Sequence, residues 1–144
     1  MMQNWFECKI RYEKTMENGM IKKVTEPYLV DAISFTEAEK RIIEEITPFM
    51  SGDFEIADIK RAHYSELFFA NDTDADTWFA ARLEFVTLDE RTGVEKKTKT
   101  SILVQASDPR DAMKRLGKGM EGTMADYNAV SIKETAIVDV FPIK

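Results

Sequence analysis

The side chains able to do chemistry here are few in kind. His63 and Cys8 are the only histidine and the only cysteine, so a site built on two histidines and a disulfide within the chain are both excluded. His63 could serve as a lone general base, with Cys8 or a serine as nucleophile, but no spacing ties these residues together. A histidine inside a strand-like run reads more simply as a packed or surface residue. Glu7, Glu84 and Asp139 are carboxylates that could act in catalysis without any sequence signature, and they point to no particular reaction. Asp72, Asp74 and Asp76 alternate like the opening of a calcium loop, yet Thr77 and Leu83 stand where the glycine and the bidentate acid belong. A solvated connection is the simpler reading. Gly117-Lys118-Gly119-Met120-Glu121-Gly122 follows a helical stretch and lacks the Gly-Lys-Ser/Thr ending of a phosphate loop, so it reads as a helix terminus and loop, a lid if a neighbouring groove binds anything. No cofactor and no metal are expected.

Two further sets occur in pairs. Lys22-Lys23 and Lys96-Lys97 form basic spots in an acidic chain, suited either to an anionic partner or to protecting an exposed strand edge, and edge protection is favoured. Trp5 and Trp78 could stack a planar ligand or anchor a partner, although core or junction packing is the commoner use of such a pair.

The pairing comes from an internal duplication. Asn4-Trp5-Phe6-Glu7-Cys8-Lys9-Ile10-Arg11-Tyr12 lies over Thr77-Trp78-Phe79-Ala80-Ala81-Arg82-Leu83-Glu84-Phe85, an offset of 73 residues, with apolar or small residues at every second place. Turns follow at Asn18-Gly19 and Thr92-Gly93. Returning strands carry Tyr28-Leu29-Val30-Asp31-Ala32 and Ile102-Leu103-Val104-Gln105-Ala106, and Pro27 calls for a bulge or an edge in the first of them. A helix comes next in each half. Two overlapping cap registers, Ser34 with Glu37 and Thr36 with Glu39, precede Ala38, Ile42 and Ile46; Asp108-Pro109 precedes Ala112, Leu116 and Met120. Gly117 and Gly119 predict an end or fraying near Leu116. A third strand closes each unit, Asp53 to Lys60 over Asp126 to Lys133, with the match continuing to Leu67-Phe68 over Val140-Phe141.

The expected fold is therefore α+β: two β-β-α-β repeats, residues 1–70 and 77–144, joined by the polar stretch 70–76. Antiparallel-rich sheets should carry both helices on one face. Units of roughly 70 residues bury little surface alone, so a shared core is expected. Hydrophobic residues at 44% and charged residues at 32% are globular values. A net charge of −6 disfavours general nucleic-acid binding. The absence of a leader-like start, of any run near about 18 apolar residues and of a second cysteine points to a cytoplasmic protein with no membrane role.

Asn4 to Lys144, notably Trp5-Phe6-Glu7-Cys8-Lys9, Val24-Thr25-Glu26-Pro27-Tyr28-Leu29-Val30-Asp31-Ala32, Val104-Gln105-Ala106-Ser107-Asp108 and Gly122-Thr123-Met124-Ala125-Asp126-Tyr127, resembles a family of small bacterial proteins of unknown function seen chiefly in gut Bacteroidetes and their mobile elements. That resemblance implies no activity and transfers no site residue. The topology is also similar to the duplicated modules of bacterial effector-binding proteins, which hold small ligands between copies. The functional expectation is a non-catalytic binding module for a protein partner or small ligand at the junction of the repeats, with Trp5, Trp78, Lys22, Lys23, Lys96 and Lys97 as candidate contacts. The alternative is a nucleic-acid-associated accessory protein of a mobile element using the lysine-bearing hairpins. Free strand edges also suit self-association.

Overall fold

The computed structural model describes residues 4–123 and 126–143. Its element order is β1 (Trp5–Thr15), β2 (Ile21–Asp31), α1 (Phe35–Ile46), a short 3-10 turn (Thr47–Phe49), β3 (Phe54–Ala62), β4 (Glu66–Phe68), β5 (Thr77–Leu88), β6 (Glu95–Ala106), α2 (Pro109–Gly119), β7 (Asp126–Glu134) and β8 (Asp139–Phe141). The fold is α+β, and both halves carry the same run of elements.

Each repeat starts as a hairpin because its strand alternation meets a residue tolerant of positive φ. Gly19 lies at φ 83° and Gly93 at φ 72°. In the first hairpin the Asn18 side-chain oxygen also accepts from the Met20 N–H at 3.0 Å. The helices are capped alike. Ser34 Oγ accepts from the Glu37 N–H at 3.1 Å, and the Glu37 carboxylate accepts from the Ile33 N–H at 3.1 Å. Asp108 accepts from the Asp111 N–H at 2.7 Å, and Asp111 accepts from the Ser107 N–H at 3.0 Å. Of the two overlapping registers in the first repeat, Ser34 with Glu37 is the one used.

The third strand departs from expectation. The long run ending in Leu67-Phe68 is two strands, since β3 stops at Ala62 and the chain re-enters a sheet only at Glu66. The second repeat breaks the same way between Glu134 and Asp139. One sheet has the order β3-β1-β2-β8 and the other β4-β6-β5-β7. β8 pairs parallel with Tyr28–Val30 of β2, and β4 pairs parallel with Ile102–Val104 of β6. The repeats have thus exchanged their last strands. Residues up to His63, together with those from Ala136 onward, form one compact unit, and Tyr64–Thr135 form the other. The stretch 70–76, expected to join the copies, consequently lies inside the second unit, where Ala75 is buried.

In the first unit Ala38, Ile42 and Ile46 of α1 pack on Phe6, Cys8, Ile10, Tyr28 and Val30. In the second, Leu116 and Met120 pack with Ala81, Leu83, Ile102 and Val104, while Ala112 packs with Phe79 and Ala106. Each fully buried aliphatic side chain of this size contributes about 1.5–3 kcal/mol. Both sheets are also bulged at one repeat position. Lys9 faces Asp58 while Ile10 faces Ile56, leaving Ala57 as the extra residue, and Arg82 faces Ser131 while Leu83 faces Ala129, leaving Val130.

Of the bulge or edge expected at Pro27, the structure has the edge: the β1–β2 register runs unbroken through Lys9 and Pro27, β8 pairs only from Tyr28 onward, and the proline's carbonyl accepts from the Val138 N–H. One local expectation changes, because α2 does not end at Leu116; it continues to Gly119. The reason is packing, because a Cβ on Gly119 would lie 2.5 Å from Cε2 of Phe68, so the bare glycine lets that ring close against the helix. No helix among the described residues is long and apolar enough to cross a membrane.

Candidate functional site

The residues singled out from sequence are mostly committed to structure. Trp5 is 3% and Trp78 2% exposed. Trp78 also meets Phe69 edge to face, at 5.3 Å between centroids. Rings so enclosed offer a ligand no free face. Lys22, Lys23, Lys96 and Lys97 are exposed, on stretches of β2 and β6 whose outer edges the short partner strands leave uncovered. Lys97 lies 3.8 Å from Glu84. That is where a lysine obstructs edge-to-edge pairing.

Cys8 is fully buried, and burial first, then the Glu7 and Asp58 carboxylates, pushes its thiol up to about 12. It is a neutral core residue, not a nucleophile. His63 falls just beyond β3, not within it, and is exposed. Glu7 pairs with Lys60 at 3.4 Å, and the Asp139 carboxylate accepts from the Val140 N–H at 2.8 Å. The aspartates of 72–76 do not converge: Asp72 turns to Arg115, and Asp76 accepts from the Thr77 hydroxyl at 3.1 Å. Among the described residues no group of three His, Cys, Asp or Glu side chains could hold a metal ion.

A concavity lies inside the second unit. A cleft of about 590 Å³ runs between α2 and the chain leaving β4. Leu67 to Asp72 form one wall, Asp111, Lys114, Arg115 and Lys118 the other, and Gln105 and Gly119 complete it. The wall of the loop is fixed by Gln105, whose side-chain oxygen accepts from the Ala70 N–H at 2.9 Å. Phe69, half exposed, stands at the margin.

Arg115 organises the charge. Its Nε donates to Asp111 at 2.8 Å and its Nη2 to Asp72 at 2.6 Å. The Ser107 backbone N–H, and then Arg115, hold the Asp111 carboxyl below its ordinary range. Lys114 and Lys118 make no ion pair with any described residue. The cleft can therefore receive an anion, with an apolar edge at Phe69. The first unit has a recess of about 540 Å³ lined by Arg11, Lys23, Asp53 and Glu55 among others, but its arginine is already bonded to Thr25 and Glu55, each at 3.3 Å.

Sequence reasoning missed this site. A signal was available in the repeat itself, which sets Lys114-Arg115 over Lys40-Arg41. A family profile described as Domain of unknown function (DUF4494) matches residues 4–143. The chain belongs to that family. A search of curated proteins gives no match. The DUF4494 match spans both repeats, so the exchanged strands and the α2 cleft both fall within it.

Proposed function

We propose that this DUF4494 chain is a non-catalytic binding module of a bacterial cytoplasm, and that a small ligand docks in the cleft beside α2. The carrying observation is the pair of uncommitted cations, Lys114 and Lys118, at a recess of about 590 Å³, within the usual size range of small-molecule sites. Shifts in proton affinity argue against Cys8, Tyr28 and Asp111 as acid–base groups. The Cys8 thiol and the Tyr28 phenol, the latter raised to about 12 chiefly by burial, are held neutral, and Asp111 is held ionised. An acid or base working near neutrality is tuned the other way. The cytoplasmic setting rests on the single, buried thiol, and the bacterial one on the sequence resemblance.

We put the site inside the second unit, although the repeat pattern alone drew attention to the junction. The test is an amide NMR titration of the protein with a panel of small anionic and neutral compounds. Shifts should gather at Phe69, Gln105 and Lys118 and vanish in the double variant Lys114→Ser, Lys118→Ser. Shifts confined to the Lys22 and Lys96 hairpins, or none at all, would sink the reading.

A further inference from the structure

The Arg115 ion pairs differ in kind, and the difference names a ligand class for the cleft. Asp111 is tied down: in the first turn of α2, it accepts from the Ser107 N–H and hydroxyl and from Nε of Arg115. Asp72 is not. It comes from the loop, its side chain is 63% exposed, and one oxygen holds it to Nη2. Nη1 has no hydrogen-bond partner among the described residues. An exposed ion pair of this sort is worth about 0.2–1 kcal/mol, so an incoming anion can displace it.

We infer that Asp72 is a place-holder for a small oxyanion ligand, a carboxylate or a phosphate, which takes its position on Arg115 and is flanked by Lys114 and Lys118. A guanidinium presents paired N–H donors that match two oxygens of one anion, which the single-oxygen Asp72 contact leaves unused. Displacement frees Asp72 from the helix while Gln105 still holds the loop at Ala70, so only the Asp72 end of that wall adjusts as the ligand enters. The equivalent arginine cannot act in this way. Arg41 already donates to the carbonyls of Asp31, Phe141 and Pro142 and lies 3.5 Å from Glu45.

This inference rests on the proposed docking cleft and is tested separately from it. The full chain and its Asp72→Asn variant are titrated in parallel with succinate and with inorganic phosphate at low ionic strength, following cleft amide signals. Removing the competing carboxylate should tighten binding about two- to fivefold. Whichever anion shows the gain identifies the ligand's head group. Arg115→Lys, which keeps the charge and loses the fork, should weaken the same anion, whereas Arg41→Lys should not. If anions bind the cleft but Asp72→Asn leaves their affinity unchanged, the place-holder inference is wrong and the docking reading stands. If neither anion moves the cleft signals while a neutral compound does, the oxyanion class is wrong. Silence from every compound removes both.

Discussion

Arg41 and Arg115 occupy one position of the repeat, near the end of the second turn of each helix, and their surroundings have diverged. In the first unit the guanidinium holds backbone: three carbonyls, two of them on the exit from β8. In the second it holds two carboxylates, and the cleft stays open. A duplicated fold can keep one copy of a residue for structure and release the other. The neighbouring position shows the same split, because Glu45 pairs with Arg41 while its counterpart Gly119 leaves space for the Phe68 ring.

The largest effect should separate Cys8 from its counterpart Ala81. Because the folded state keeps the thiol neutral, that contribution is fully present below pH 9.0 and is lost as the pH climbs toward about 12. The upper bound is on the order of 4 kcal/mol. Urea melts of Cys8→Ala across that range should show a flatter alkaline decline than the parent, and a native thiol reagent assay on the parent should be silent at neutral pH. Parallel pH profiles would mean that the two positions are equivalent after all.

Next comes the arginine pair. Arg41→Ala leaves carbonyls without their donor and should lower stability by about 2–4 kcal/mol, whereas Arg115→Ala, losing partly exposed ion pairs, should lose about 1 kcal/mol or less. Equal losses in chemical denaturation would erase the distinction drawn above. A smaller contrast lies within α2. Gly119→Ala must displace Phe68 and should destabilise by about 1 kcal/mol net of its helix propensity. Gly117→Ala meets nothing within 4 Å and should stabilise by about 0.5–1 kcal/mol. Thermal melts of the two variants should move in opposite directions.

The faintest signal is expected at the sheet edges. Lys23→Val with Lys97→Val should leave the melting point nearly unchanged yet produce concentration-dependent association in light scattering. A strictly unchanged mass would show that these lysines are not what keeps the β2 and β6 edges from pairing.

Much of the fold was legible because its signals are local. Gly19 and Gly93 mark hairpins, Ser34 and Asp108 mark helix starts, and the alternation from Phe6 to Tyr12 marks a buried face, each within a few residues. The exchange of β4 and β8 left no such mark. Three residues in a parallel pairing carry no period, and their partners Tyr28 to Val30 and Ile102 to Val104 look the same whichever short strand joins them. The helix end at Gly119 is illegible in the sequence for a related reason, since propensity sees the missing side chain and not the Phe68 ring that fills its place. The cleft was hidden because Asp72 and Arg115 meet only after the loop folds back on α2.

The exchanged strands also set an order of events during synthesis. Every residue of the second unit, Tyr64–Thr135, leaves the ribosome before β8 does. The first unit, although it is begun earlier, waits with the β2 edge at Tyr28–Val30 uncovered until residues 139–141 emerge. A chain cut short between Thr135 and Asp139 therefore completes its second unit and shows the fault in its first, as an open strand edge that a chaperone or protease can read.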